Sequence, residues 1–252
     1  MKKISDVFYT DENLVERSLD IYVPDEAPRA AFLYIHGGGI EHGDKTATLE
    51  GEYLASHGIL TFSINYRMYP EARFPDFIED AALAVAFAKK YSKELSVDEL
   101  YVGGSSAGGY ISMMLCFDTH YLSDVGLSPD AVAGYFHDAG QPTAHFTVLK
   151  EEAKVDSRRC IIDKTAPLYF IGLESSYPVM RFIVSDDDIK CRLEQTMLTL
   201  ATLRHFGYTG FDHKLIHGTH CAYFGRLNGA GESDLGTMIY EFISDAQEGR
   251  IL

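Results

Sequence analysis

The chain has 252 residues, 46% of them hydrophobic and 23% charged, with a formal net charge of -15. That composition supplies ample core for one large α/β domain, and an acid excess without a basic patch disfavours nucleic acid and anionic membrane as partners. No apolar run approaches the length of a bilayer span, and Met1-Lys2-Lys3-Ile4-Ser5-Asp6 has no apolar stretch behind its lysines, so we expect no signal peptide and a cytoplasmic location.

Residues 7–9 and 19–23 are short, strand-like and separated by a polar turn, which predicts an antiparallel pair at one edge of a sheet, ended by Pro24 and Pro28. Residues 30–35 form a continuous apolar run, the mark of a strand buried on both faces. His36-Gly37-Gly38-Gly39 follows it directly. Residues 46–57 read as a helix with Gly58 in the place of a C-terminal glycine, and residues 59–64 as the next buried strand. Asp76 is placed to cap a helix over 76–90, where Phe77, Ala81, Ala84, Val85 and Ala88 recur at helical spacing. A strand at 100–102 leads through a glycine-rich turn into a helix at 107–116, and a short strand is expected at 131–136. The segment 137–178 is far longer than an ordinary connection, with a helical stretch at 143–155, and suits a lid or substrate-binding wall. Strand 179–184, helix 190–206, strand 211–216 and helix 235–246 complete the order. This alternation predicts one domain over residues 1–252, with a largely parallel sheet covered on both faces. The four cysteines, Cys116, Cys160, Cys191 and Cys221, contain no C-x-x-C pair and read as free thiols.

The glycine-rich turn is Gly103-Gly104-Ser105-Ser106-Ala107-Gly108-Gly109. Only Ser106 fits a G-x-S-x-G frame, with Gly104 two places before it and Gly108 two places after. That frame is the nucleophile elbow, a strand-to-helix turn that lifts a serine hydroxyl above the sheet and aims helix N–H groups at developing negative charge. The glycines do not fall into G-x-G-x-x-G and no Lys follows them, so dinucleotide and P-loop readings fail.

A serine nucleophile needs a base, an orienting acid and oxyanion donors. The three glycines after His36 can bring N–H groups close to a substrate carbonyl. Asp186, Asp187 and Asp188 follow a strand, on the rim where open α/β sheets place their sites, and alternation alone does not choose among them. His217 and His220 follow the last strand. On a helix, His213, His217 and His220 would share a face and invite a metal, but the strand pattern and Gly218 argue against it.

These motifs resemble the α/β-hydrolase esterases with an HGGG loop, the group holding hormone-sensitive-lipase-like, acetyl esterase and feruloyl esterase-like enzymes. The resemblance runs almost end to end. Asn65-Tyr66-Arg67-Met68-Tyr69-Pro70-Glu71 followed by Phe74-Pro75 is similar to that group's YRLAPE…FP segment, and Asp80 fits the aspartate after it. Gly43-Asp44-Lys45 looks like the feruloyl and acetyl-xylan esterase-like branch. The resemblance implies an α/β-hydrolase fold with about eight strands, Ser106 as nucleophile, His220 as base, and Gly38, Gly39 and Ala107 as oxyanion donors. The family's G-x-x-D pattern assigns the acid to Asp188, with Ser185 in the glycine position and Asp187 as runner-up. Two departures, no room for an N-terminal cap and Ser105 where the family's elbow carries Asp, point to the smaller, cap-poor esterases.

The implied activity is serine ester hydrolysis of short acyl esters, acetyl first, on sugars or oligosaccharides, with no metal or organic cofactor. Tyr135, Tyr169, Tyr177 and Tyr223 would offer flat faces for sugar, whereas the absence of Trp counts against a polysaccharide surface. Hydrolysis of another acyl bond, as by an aryl formamidase or small peptidase, is the alternative, followed by a non-catalytic small-molecule binder.

Overall fold

The computed structural model describes residues 1–46, 49–152 and 154–251. Its strands are β1 (Lys2–Phe8), β2 (Ser18–Val23), β3 (Ala30–Ile35), β4 (Ile59–Ile64), β5 (Leu100–Ser105), β6 (Gly134–Asp138), β7 (Val179–Asp187) and β8 (Phe211–Thr219). Its helices are α1 (Glu50–Ser56), α2 (Asp76–Glu94), α3 (Ala107–Phe117), α4 (His120–Asp124), α5 (Phe146–Glu151), α6 (Pro167–Phe170), α7 (Arg192–His205) and α8 (Asp234–Gln247). The strands form one sheet in the order β1-β2-β4-β3-β5-β6-β7-β8. β1 pairs antiparallel with β2 at one edge, as the sequence predicts, β2 pairs antiparallel with β4, and the remaining pairings are parallel.

The period-2 geometry of a strand divides the apolar runs between two cores. Leu33, Ile35, Val102 and Phe182 pack on one face under α2, α3 and α7, through residues such as Phe77, Val85, Ile111, Met114 and Leu200. Phe32, Tyr34, Phe136 and Ile183 face the other way, under Leu54 of α1 and Ile239, Phe242 and Ile243 of α8. Because helices cover both faces, β3 and β4 are buried at every position, which explains their unbroken apolar sequences. β8, at the open edge, instead alternates in burial.

Several boundaries differ from the sequence reading. The helix expected over 46–57 is α1, which begins at Glu50, and residues 47 and 48 lie outside the described residues. Gly58 adopts φ +78° and donates to Ala55 O at 3.2 Å, so it does end that helix. Asp76 is the first helical residue rather than the cap, a position held by Pro75, and its carboxylate accepts from Arg73 N at 2.8 Å. A 3-10 turn at Pro129–Ala131 delays the following strand to Gly134. β7 and β8 each run three residues beyond their apolar cores because they pair with one another to the end. Within 137–178, the helix expected over 143–155 shortens to α5, since the His145 ring caps it by accepting from Thr147 N at 3.2 Å. Residue 153 of that stretch lies outside the described residues.

Candidate active site

β5 ends at Ser105 and α3 begins at Ala107, leaving Ser106 alone in the turn with φ 55° and ψ -110°. A non-glycine residue reaches such angles only where its surroundings enforce them. Here the Ser106 N–H donates to Asp138 O at 2.8 Å, and the flanking glycines lie against the end of β3. A Cβ on Gly104 would stand 2.4 Å from Ile35 O, and one on Gly108 1.9 Å from the same oxygen. The G-x-S-x-G spacing is therefore a packing requirement of the turn.

The hydroxyl so presented lies 2.9 Å from His220 Nε2, and His220 Nδ1 lies 2.6 Å from Asp188 Oδ1. Asp188 is the first residue after β7, and its side chain is 1% exposed. It also accepts from Ile189 N at 2.7 Å and Ser185 N at 3.3 Å. Burial would raise its pKa, but the hydrogen bond and charge of His220 and the two backbone donors outweigh that, holding the carboxyl below its usual range. Asp186 makes a separate pair at the surface, with His217 Nδ1 at 2.6 Å and Gly218 N at 2.9 Å, and so braces the loop leading to His220. Asp187 is exposed and opposite Thr219 in the sheet. His213 and His217 lie on a strand, not a helix, and no group of three or more metal-ligating side chains is present among the described residues.

Facing the serine is the loop after β3. Gly38 (φ +112°) and Gly39 (φ +67°) take conformations suited to glycine, and a Cβ on Gly38 would lie 1.8 Å from His42 O. Gly38 O accepts from Glu41 N and His42 N, both at 3.1 Å. The N–H groups of Gly38, Gly39 and Ala107 donate to no protein group among the described residues. The buried His36 anchors this loop. Its ring stacks on Tyr66 with centroids 4.5 Å apart, Nδ1–H donates to Gly37 O at 2.7 Å, and burial lowers its pKa, favouring the neutral form.

The other motif residues buttress the loop. Tyr66 OH donates to His36 O at 2.9 Å, and Tyr69 N to Ile40 O at 3.0 Å. Asp80, fully buried, accepts from Arg67 N (3.0 Å), Arg67 Nε (2.8 Å) and Arg17 Nε (2.8 Å). Lys45 is buried toward β1 and β2, paired with Asp20 and with Asp6 at 2.8 Å.

Sequence reasoning missed a polar network behind Ser106. Asp138, at the end of β6, is fully buried and accepts from Ser105 Oγ and from Tyr223 OH, while Tyr34 OH donates to Ser105 Oγ at 2.9 Å. One carboxylate thus ties the elbow to the loop that follows His220. Burial pushes its pKa up to about 6, against the two hydrogen bonds. A carboxylate closing an otherwise apolar strand, Tyr135-Phe136-His137-Asp138, was the available signal. The tyrosine expectation fares worse. Tyr135 and Tyr223 are 1% exposed, Tyr177 packs against Phe117 and Tyr208, and Tyr169 is exposed elsewhere. None of the four lines the cavity above Ser106. That cavity measures about 500 Å³, and its lining includes the polar Glu41, His42 and Asp44 and the apolar Phe146, Ile189 and Phe224. Phe146 is the contribution of the 137–178 segment.

This architecture, with a serine on an elbow after β5 and a glycine loop after β3, is that of the α/β-hydrolases. The chain belongs to the BD-FAE family, which it matches over residues 19–188. It is 33% identical over 97 residues to the esterase LipI of Mycobacterium tuberculosis, covering 36% of this chain and 30% of that protein. It is 29% identical over 100 residues to an acetyl esterase of Salmonella typhi, covering 37% and 30%. The matched part thus spans under a third of the length of these curated relatives. Solved structures align over nearly the whole chain. Esterase B of Lactobacillus rhamnosis superposes with a TM-score of 0.76 at 15% identity, covering 98% of this chain and 87% of that one. A truncated carbohydrate esterase from gut microbiota gives 0.72 at 18% identity, covering 98% and 96%.

Proposed function

We propose that the protein is a serine ester hydrolase acting on short acyl esters, acetyl esters foremost, with sugars or oligosaccharides as the alcohol part. The observation that carries this reading is the hydrogen-bonded series Ser106, His220, Asp188 opening into a cavity beside three unpaired backbone N–H groups. In this mechanism His220 Nε2 removes the Ser106 proton as Oγ attacks the acyl carbonyl, while Asp188 fixes the imidazole tautomer through Nδ1 and stabilises the imidazolium. The N–H groups of Gly38, Gly39 and Ala107 receive the oxyanion, each well-placed donor lowering the barrier by about 3–4 kcal/mol. His220 then protonates the leaving alcohol and activates the water that releases the acid.

The substrate class rests on separate observations. The Salmonella relative is named an acetyl esterase and one structural neighbour a carbohydrate esterase. Glu41, His42 and Asp44 in the cavity's lining suit sugar hydroxyls, and the 137–178 segment serves in this reading as a substrate wall through Phe146. The test is a panel of 4-nitrophenyl esters from acetate to palmitate beside acetylated xylo-oligosaccharides and the anilide of acetic acid. Rates should peak at acetate to butyrate, with the ester far ahead of the anilide. Rates rising steadily beyond about eight carbons would contradict the short-acyl assignment, since a long apolar channel would then be required.

A further inference from the structure

A second cavity of about 480 Å³ adjoins the first, and Phe146 and Ile189 line both. Its remaining lining contains Arg158, Arg159, Lys190 and Arg192 and no acidic side chain, in a chain whose formal net charge is -15. Arg158 is committed, its Nε 2.9 Å and its second amino group 2.5 Å from the carboxylate of Asp156. Arg159 and Lys190 are exposed and form no ion pair with any described residue.

Arg192 is the more telling group. It is 3% exposed, yet its guanidinium donates only to Ala139 O and, at 3.4 Å, to Gln141 Oε1. No carboxylate lies within ion-pair distance among the described residues. Buried charges are ordinarily paired, because the loss of hydration is otherwise uncompensated. Its hydrogen-bond partners are neutral and the carboxylate charge acting on it, that of Asp188, lies beyond ion-pair distance; such a buried guanidinium, in the wall of a cavity that also holds two exposed cations without an ion pair, is a built environment for an oxyanion. A guanidinium fork matches the two oxygens of a carboxylate, and the low exposure strengthens the attraction.

We propose that this second cavity is an anion subsite of the catalytic cleft, and that preferred substrates are esters carrying a carboxylate on the part that crosses Phe146 and Ile189. The inference rests on the esterase reading for its consequence but not for its binding chemistry. Ile189 follows the candidate triad acid directly, so a substrate held over Ser106 reaches Lys190 and Arg159 by passing that side chain.

The test uses two matched pairs of esters, each a carboxylate and its uncharged primary amide. One pair carries the group on the acyl side (the 4-nitrophenyl half-ester of adipic acid), the other on the alcohol side (3-carboxyphenyl acetate). In at least one pair, kcat/KM should be tenfold or more higher for the carboxylate, and the pair that responds identifies which half of the ester crosses. The Arg159→Gln/Lys190→Gln double variant, which leaves Arg192 in place, should cut that preference at least threefold while hydrolysing 4-nitrophenyl acetate within twofold of the parent. Equal rates within both pairs, or a variant that loses equally on charged and uncharged esters, would overturn the proposal. Should no ester be hydrolysed at all, the esterase reading fails, and the subsite is judged by calorimetric titration of adipate. Adipate binding weakened threefold or more in the double variant supports it, and no heat with the parent protein, or equal binding by the two proteins, overturns it.

Discussion

Replacing Asp188 by Asn separates an orienting carboxylate from a merely local surface acid. The carboxylate accepts three hydrogen bonds, from His220 Nδ1, Ile189 N and Ser185 N. An amide has one oxygen and one NH2 in the same outline. His220 Nδ1 and Ile189 N share Oδ1 while Ser185 N takes Oδ2, so where the amide NH2 occupies the Oδ1 place Nδ1 must become an acceptor. The ring proton then moves to Nε2, 2.9 Å from Ser106 Oγ, where the base is needed unprotonated. The loss of the correct tautomer in a serine triad costs on the order of 10⁴ in kcat, about 5 kcal/mol of barrier. The pKa of Asp188 is depressed in the folded state, so its contribution to stability is present at neutral pH and above, and is lost as pH falls through the folded value. The assay is 4-nitrophenyl acetate hydrolysis with kcat and KM resolved, alongside circular dichroism to confirm folding. Asp186→Asn is the comparison, since that surface carboxylate serves His217 and Gly218 and should matter by tenfold at most. Retention of more than a tenth of kcat in Asp188→Asn, or equal damage from Asp186→Asn, would refute the tautomer argument.

Two further outcomes follow from the packing around the elbow. Gly108→Ala places a Cβ 1.9 Å from Ile35 O and 2.8 Å from His36 O, so backbone must move; we expect a loss on the order of 3 kcal/mol or more in chemical denaturation, against no measurable loss for Gly229→Ala, which meets nothing within 4 Å. For Asp138, a folded pKa raised to about 6 means that the protonated form is favoured on folding, so its contribution is complete below the unfolded value near 4 and is lost as pH rises through 6. Asp138→Asn should therefore remove about 3 kcal/mol of pH dependence between pH 4 and 7, read from denaturation midpoints, and identical pH profiles for the two proteins would contradict the buried-carboxylate account.

The sheet was legible because its cause is local. Unbroken apolar runs at 30–35 and 59–64 can be buried only between two helical layers, and the short polar-punctuated strands at the start can pair only at an edge. The elbow was legible for a similar reason, since Gly104 and Gly108 are fixed by contact with a single carbonyl, that of Ile35. What escaped depends on distant parts of the chain. Alternation could not choose among the three aspartates at the end of β7, because a register shift between β7 and β8 after Ser185 interrupts it there. Gly43-Asp44-Lys45 suggested substrate chemistry, yet Lys45 is turned into the β1–β2 edge by Asp6 and Asp20, acids 39 and 25 positions away in sequence. The tyrosines misled because hydroxyl-bearing rings serve the core boundary as readily as a binding face. Asp138 went unnoticed because its partners, Ser105 and Tyr223, meet it only in the folded sheet.

The central claim is that Ser106 is a nucleophile, and covalent labelling tests it most directly. Intact-mass spectrometry after treatment with 4-nitrophenyl ethyl phosphonate should show one adduct per chain, mapped by peptide sequencing to Ser106. The adduct should be absent in Ser106→Ala, which should also lose hydrolysis of 4-nitrophenyl acetate by roughly 10³ or more. Labelling and turnover should persist in Ser105→Ala. A parent protein that hydrolyses the ester but takes no label, or a Ser106→Ala protein that keeps its turnover, would contradict the account.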